Sequence, residues 1–163
     1  FIKKWQHHDF GSQPERLSGR SVQNGKLIYE QATCSRCHTI GGQGAKHGPD
    51  LTDVAKRFRG RKLLQQIVKP SAEIHKDFQT QMVQIDDGRM VTGLVIEETD
   101  DRILMLANLL KPDNVDTIKK SSIEDRKIAE LSSMPVGLLD TYSVNEILDL
   151  LAYLQTLNGE KNK

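Results

Sequence analysis

The chain carries two cysteines, Cys34 and Cys37, and a histidine, His38, directly follows the second of them. Only two residues separate the thiols in the stretch CSRCH, so a disulfide between them would close a very tight loop. Cysteine pairs at this spacing more often serve redox or metal chemistry than cross-linking. Any fold for this sequence must therefore accommodate two sulfur atoms and an imidazole at one point of the chain.

Three chemistries use two cysteines at this spacing. A redox pair is expected at the start of a helix near a βαβ pattern, whereas this pair follows a helical stretch. A zinc site would have to recruit histidines such as His38 and His47, in a spacing that matches none of the usual zinc patterns. In the third chemistry, both thiols add to porphyrin vinyl groups and the adjacent histidine becomes an axial iron ligand. The motif favours this covalent haem over the other two.

Composition narrows the class of protein further. Lys and Arg number 23 against 22 Asp and Glu, and the net charge of +1 argues against a nucleic-acid partner. No apolar run approaches the roughly 20 residues that span a bilayer. The chain opens on Phe1 without an apolar signal region, so we expect a processed form or a piece of a longer protein. Because haem c is attached outside the bacterial cytoplasmic membrane, we expect a periplasmic or otherwise exported protein.

Helical patterns flank the cluster and return at the end of the chain. Ser21 is a candidate N-cap for a first helix that ends near the cysteines, and two further helical stretches follow a glycine-rich loop and end at Pro70. Ser143 and Glu146 form a capping box ahead of a last amphipathic helix. Between these helical parts, β-rich runs separated by turn signals such as Asp87-Gly88 predict a small antiparallel meander.

These patterns predict one domain with an insertion. We assign residues 1–20 to a linker or N-terminal extension, 21–158 to the domain and 159–163 to a tail. Within the domain, 21–77 and 121–158 are predicted to be helical and 78–120 to be the β insertion. The fold class predicted is mainly α.

The sixth iron ligand decides whether such a protein carries electrons or binds a small molecule. The candidates are Met82, Met90, Met105, Met134, His7, His8, His47 and His75. The first three methionines fall in predicted strands, where Met commonly fills a core. Met134 lies in a loop just before the last helix, and Pro135 stiffens the backbone behind it. We therefore predict Met134 as the ligand, with His47 in reserve and loop packing as the alternative role of Met134.

Several motifs in this order resemble the class I cytochrome c fold. They are a helix running into CSRCH, the loop GPDL, a Met-Pro before the last helix, and DLLAYLQTL at the end. More closely, GPDLTDVAKRF, LLQQIVKPSAEI, DDGRMVTGLVIEE and SSMPVGLLDTYSVNEILDLLAYL together resemble a haem-binding domain family of planctomycete- and verrucomicrobium-type bacteria. The resemblance covers roughly residues 20–157 and implies a helical fold around one covalent haem.

The resemblance also implies roles for single residues. It implies thioethers at Cys34 and Cys37, and His38 and Met134 as axial ligands. The carbonyl of Pro49 would accept the second N–H of the His38 imidazole. Gly25 and Tyr29 would lie where the first helix crosses the last, opposite Tyr153 or a neighbouring leucine.

Other residues are expected around the haem. Leu51 lies two residues after Pro49 and is expected in the pocket. Arg57 and Arg59 belong to a basic run that also contains Lys56, Arg61 and Lys62. Such a run is most often a solvated helix face, and contact with haem propionates or an acidic partner is the alternative.

The function predicted is that of a one-electron carrier rather than an enzyme. A filled coordination shell leaves no position for a substrate, and a thioether ligand raises the reduction potential. The alternative is a haem peroxidase or small-ligand sensor with an open sixth position. The partners expected are redox proteins or a fused dehydrogenase-like domain. The β meander is either a docking module or a cover for one haem face.

Overall fold

The computed structural model describes residues 1–109 and 111–159, so the predicted tail lies, apart from Gly159, outside the described residues. The chain divides into two compact units. The helical unit comprises Phe1–Ala72 and the chain from Pro135 onward. The β unit comprises Glu73–Met134. The cysteine cluster belongs to the helical unit, and Met134 is the last residue of the β unit.

The helical unit contains four α-helices among the described residues, and the first and last of them begin after the predicted caps Ser21 and Ser143. The four are α1 (Val22–Gln31), α2 (Val54–Arg57), α3 (Gly60–Val68) and α4 (Val144–Gln155). The Ser21 hydroxyl accepts a hydrogen bond from the Asn24 N–H at 3.1 Å. At α4 the Glu146 carboxylate accepts the Ser143 N–H at 2.7 Å, and the Ser143 hydroxyl caps the Glu146 N–H in return. Each cap satisfies N–H groups that have no partner inside the helix.

The crossing of α1 and α4 depends on the absence of a side chain at Gly25. A Cβ atom there would lie 2.0 Å from the carbonyl oxygen of Asp149 and 2.8 Å from the Cβ of Tyr153. Tyr29, one turn further along α1, packs its ring 5.8 Å from that of Tyr153. The contacts implied for Gly25 and Tyr29 are therefore confirmed. The core around this crossing includes the fully buried Ile147, Leu148 and Leu151.

Residues 1–20, which we call the strap, pack against the rest of the helical unit. Trp5, Phe10 and Pro14 are buried, and Trp5 and Phe10 belong to the same core as α1 and α4. The Glu15 carboxylate accepts the Arg61 N–H at 2.8 Å and so caps the start of α3. Buried aromatic side chains anchor the strap although its sequence is rich in turn formers.

The β unit is a single antiparallel sheet in the described residues. Its strands are β3 (Gln79–Ile85), β4 (Met90–Glu98), β5 (Arg102–Leu106), β6 (Val115–Lys119) and β7 (Ile123–Ser132), in the order β6-β5-β4-β3-β7. A short hairpin of β1 (Thr39–Ile40) and β2 (Gln43–Gly44) belongs instead to the helical unit. The predicted Asp87-Gly88 turn joins β3 to β4.

One face of this sheet forms a separate hydrophobic core. Val83, Ile85, Ile103, Met105 and Ile118 are buried there, each no more than 4% exposed. Beside this core, Arg126 forms two hydrogen bonds to Glu98, at 2.9 and 2.8 Å, and Lys120 contacts the same carboxylate at 2.8 Å. The β unit therefore has its own apolar core and its own ionic network.

The expectation of a mainly α fold is wrong. Helices account for 32% and strands for 25% of the described residues, and the sheet within that part of the chain has five strands. Residues 123–132, taken as helical from the sequence, form strand β7. This segment lies at the edge of the sheet and is mostly exposed, so it lacks the apolar alternation of a half-buried strand.

Candidate functional site

The cysteine cluster lies at the point where α1 ends. Thr33 adopts a left-handed backbone conformation with φ of 60°, and a short 3₁₀ turn, Cys34–Arg36, follows. The N–H groups of Cys37 and His38 both bond to the carbonyl of Cys34, at 3.1 and 3.0 Å. This tight turn brings both thiols and the imidazole to the end of one helix.

The glycine-rich loop after the cluster packs directly on it. The N–H groups of His47 and Gly48 bond to the carbonyl of Cys37, at 3.1 and 2.8 Å. A Cβ atom at Gly44 would lie 2.2 Å from the His38 carbonyl oxygen, and one at Gly48 would lie 2.8 Å from His38 Cε1. Glycine is therefore required for the loop to approach the histidine this closely.

The orientation of the His38 imidazole is held by Pro49, the residue after Gly48. Its Nδ1 lies 2.7 Å from the carbonyl oxygen of Pro49. Because a carbonyl only accepts, Nδ1 carries the proton and donates this bond. Burial lowers the pKa of His38, which outweighs the opposing effect of the Pro49 hydrogen bond. The ring is therefore neutral near neutral pH, and its Nε2 is the nitrogen with a lone pair for a metal.

Both cysteines are free thiols in surroundings that disfavour the thiolate. Burial raises the pKa of Cys34 to about 12 and also raises that of Cys37. A reactive redox cysteine or a zinc thiolate needs the opposite shift. No group of three or more metal-ligating His, Cys, Asp or Glu side chains occurs in the described part of the chain. These surroundings instead suit a neutral thioether sulfur.

The Tyr29 hydroxyl is a buried polar group next to this cluster. It has no hydrogen-bond partner among the described residues. Burial raises the pKa of Tyr29 above its usual range, and the nearby Cys34 contributes in the same direction. A buried hydroxyl without a partner costs roughly 1–3 kcal/mol. This orphaned group fits a site that is completed by a further bound group, as a covalent haem would complete it.

The other expected pocket residues lie along the chain that leaves the loop. Leu51 is half-buried and packs against the main core of the helical unit. The Arg57 guanidinium bonds to the Asp50 carbonyl and lies 3.5 Å from the Asp53 carboxylate. Arg59 Nε donates to the Ala55 carbonyl at 2.8 Å. Both arginine side chains therefore already hydrogen-bond to backbone carbonyls in or just before α2.

The candidates for the sixth ligand differ in burial and in hydrogen bonding. Met105 is fully buried in the β-unit core, and Met90 is 59% exposed. Met134 is half-buried, and its N–H bonds to the Ser132 hydroxyl at 3.2 Å. His8 is exposed, and the exposed His75 caps a 3₁₀ turn through its Nδ1. His47 contributes a backbone N–H to the loop contact described above.

Some residues that support this region from outside the cysteine cluster were not predicted from the sequence. Trp5 was assigned to the linker, yet its Nε1 donates to the carbonyl of Tyr142 at 3.0 Å. The signal available was the presence of Trp5 and Phe10, two large aromatic residues, in a segment rich in polar residues.

No helix in the described residues is long and apolar enough to cross a membrane.

Comparison with known proteins gives a family match and short local similarities. The family model described as Cytochrome c matches residues 22–111, more than half of the chain. The C subunit of nitric oxide reductase from Halomonas halodenitrificans is 45% identical over 40 residues, which are 24% of this chain and 27% of that protein. The protein of the same name from Paracoccus denitrificans is 47% identical over 38 residues, 23% and 25% of the two chains. The matches thus span about a quarter of these curated relatives.

Proposed function

The chain belongs to the cytochrome c family, whose members bind haem iron and transfer electrons, and we therefore propose that it is an electron carrier with one haem c. Cys34 and Cys37 form the thioether bonds, and His38 and Met134 are the axial ligands. The helical unit holds the haem, and the protein has no substrate-binding position at the iron.

The orientation of the His38 ring is the observation that carries this proposal. Its Nδ1 is bound to the Pro49 carbonyl at 2.7 Å, which leaves Nε2 for the iron. A hydrogen bond from the second nitrogen fixes the ring and raises its basicity as a ligand. The loop glycines hold the backbone against this ring, so the imidazole has little freedom to turn away.

The buried thiols of Cys34 and Cys37 suit covalent attachment of haem rather than redox cycling. Burial keeps Cys34 and Cys37 protonated. Cys34 and Cys37 would hold a haem as thioethers, in which each S–H would have added across one vinyl group, with the sulfur bonded to carbon and the proton on the neighbouring carbon. The product is a neutral thioether, which tolerates burial without a charge. When bound, haem c supplies a one-electron couple between ferric and ferrous iron.

Met134 is proposed as the sixth ligand because of its position in the chain. It is followed by Pro135, where the chain enters the helical unit, and α4 begins ten residues later at Val144. A thioether favours ferrous iron and gives a higher potential than a second histidine. With both axial positions filled, the site transfers electrons without binding a substrate.

The pocket roles of four residues are part of the proposal. Pro49 orients the proximal ligand, and Leu51 contributes apolar lining that excludes water. Arg57 and Arg59 lie on the turn around α2 and are proposed to face the haem propionates, where an arginine stabilises carboxylates strongly. The existing bonds of these arginines to backbone carbonyls would hold them in position.

The wider context of the electron carrier is also proposed. We place the protein in the periplasm or outside the cell, since haem c attachment takes place there. Its partners are redox proteins or a larger oxidoreductase in the same complex or chain. The short similarity to the C subunit of nitric oxide reductase supports a role of this kind. The motif order supports membership of the planctomycete- and verrucomicrobium-type haem-binding family.

Carbon monoxide tests the carrier function. The ferrous holoprotein is mixed with carbon monoxide in a stopped-flow spectrometer, alongside Met134→Ala. The six-coordinate carrier is expected to bind slowly or incompletely, and Met134→Ala is expected to bind rapidly and fully. Rapid stoichiometric binding by the unaltered protein would contradict the carrier and support a ligand sensor or peroxidase with an open sixth position.

A further inference from the structure

The strap binds the segment between Met134 and α4 at one point. The N–H groups of Ile2 and Lys3 both donate to the carbonyl oxygen of Asp140, at 2.7 and 3.1 Å. The Trp5 N–H also approaches the Asp140 carboxylate at 3.3 Å. Asp140 lies six residues after Met134. Three backbone N–H groups of the strap therefore converge on one residue of this segment.

Trp5 adds a second attachment two residues further on. Its indole Nε1 donates to the carbonyl of Tyr142 at 3.0 Å, while its ring is buried in the main core beside Phe10. Tyr142 directly precedes Ser143, the N-cap of α4. The strap is therefore anchored in the core by Trp5 and hydrogen-bonded to both Asp140 and Tyr142.

The segment itself, residues 135–142, combines a buried side chain with a local turn. We call it the methionine loop. Its Leu139 is buried, but Val136 is 66% exposed. A turn formed by Gly137, with φ of 79°, and closed by the Asp140 N–H on the Gly137 carbonyl at 3.0 Å gives it local shape.

A cavity separates part of the methionine loop from α3. It has a volume of about 460 Å³ and lies between Trp5 of the strap, the end of α3 and the residues just after it (67–72), and the loop from Val136 to Asp140. The cysteine cluster does not line it. The loop is held here by its buried Leu139 side chain and by the hydrogen bonds from the strap.

We infer that the strap positions Met134 and sets how readily this residue leaves the iron. The inference rests on the proposed function, since it takes Met134 as the axial ligand. Dissociation of Met134 requires the methionine loop to move, and movement at Asp140 or Tyr142 breaks strap bonds. Trp5 is therefore a positioning residue, which acts on the ligand through the loop. A chain segment or partner that pulls on the strap would open the sixth position.

Two matched pairs of variants test this inference in the holoprotein. Trp5→Phe removes the bond to Tyr142 but keeps an aromatic ring, and Phe10→Leu perturbs the same strap core without removing a hydrogen bond to the loop. Ile2→Pro removes one N–H donor to Asp140, and Ile2→Ala keeps it. Because Ile2 is 54% exposed, we expect its variants to fold and to bind haem even if a change at Trp5 prevents haem loading.

The measurement is the rate at which imidazole replaces the native ligand of the ferric protein, together with the near-infrared methionine-to-iron band. Loss of one hydrogen bond on opening corresponds to a rate increase of several-fold to about tenfold. We expect this increase in Trp5→Phe and Ile2→Pro, and unchanged rates in Phe10→Leu and Ile2→Ala. Equal rates within each pair would overturn the inference.

The outcome separates this inference from the proposed function. If the unaltered protein shows the band, Met134→Ala abolishes it and the strap variants behave as their controls, then only the strap inference fails. If the unaltered protein lacks the band and Met134→Ala changes nothing, Met134 is not the ligand, and both the axial assignment and the strap inference are refuted.

Discussion

His38 donates a hydrogen bond from its Nδ1 to the carbonyl oxygen of Pro49 across 2.7 Å, and Gly48, the residue before Pro49, touches the same ring. The two contacts leave no space for a side chain at position 48, because a Cβ atom there would lie 2.8 Å from Cε1 of the imidazole. The orientation of the ligand therefore depends on a glycine as well as on a proline.

Gly48→Ala is expected to displace the imidazole and weaken its bond to Pro49. A less strongly held Nδ1–H makes the ring a weaker ligand for ferric iron, so we expect the reduction potential to rise. The strain should also lower the free energy of unfolding by about 1–3 kcal/mol. Potentiometric titration and chemical denaturation measure the two effects.

Gln43→Ala is the control for this substitution, since Gln43 is exposed in the same loop. It should leave both the potential and the stability close to those of the unaltered protein. An unchanged potential in Gly48→Ala, with histidine still bound to iron, would show that this contact does not tune the ligand.

The number and attachment of the haem are open to a direct test by mass. The denatured holoprotein is expected to carry the added mass of one haem, which acidified organic solvent does not extract. Cys34→Ala and Cys37→Ala should each retain at most one thioether, and the double variant should lose all haem on extraction. Haem that survives extraction in the double variant would contradict attachment through these thiols. Ser35→Ala, which lies between the thiols, is the matched control.

Much of the helical unit could be predicted from the sequence, because its signals are local. The caps at Ser21 and Ser143 depend on residues a few positions apart, whereas the crossing at Gly25 was implied by the family resemblance. Strands β3 to β6 were also visible from their β-branched and apolar content and from the turns between them.

Strand β7 and the strap could not be predicted because their structure depends on distant partners. β7 contains Glu, Asp, Arg and Lys in succession and pairs with β3, about 40 residues earlier in the chain. The strap has no periodicity of its own, and it is held by Asp140 and Tyr142 near the other end of the chain. Contacts across such separations leave no local pattern in either segment.

The ionic network of the β unit predicts a dependence of stability on pH. Hydrogen bonds from Arg126 and Lys120 lower the pKa of Glu98 to about 2 from an ordinary value of 4.5. A depressed pKa means that Glu98 stabilises the fold above pH 4.5 and that this contribution is lost as the pH falls toward 2. The Glu98 side chain is 38% exposed, so solvent screening limits the contribution to about 1 kcal/mol or less.

A double-mutant cycle of Glu98→Gln and Arg126→Gln measures this contribution. The coupling free energy from chemical denaturation should be present at pH 6, shrink at high salt and fall steeply toward pH 2, where about half of Glu98 is protonated in the folded state. A coupling that persists at low pH would mean that packing rather than charge joins the two side chains.

The electron-carrier proposal depends above all on Met134 completing the coordination of a haem held by Cys34, Cys37 and His38. Near-infrared absorption of the ferric holoprotein tests this, because a charge-transfer band in that region reports methionine bound to iron. Met82→Ala, a change in strand β3 of the β unit, is the matched control. We predict the band in the unaltered protein and in Met82→Ala, and its loss in Met134→Ala. A band that persists in Met134→Ala, or is absent from the unaltered protein, would contradict the proposed coordination.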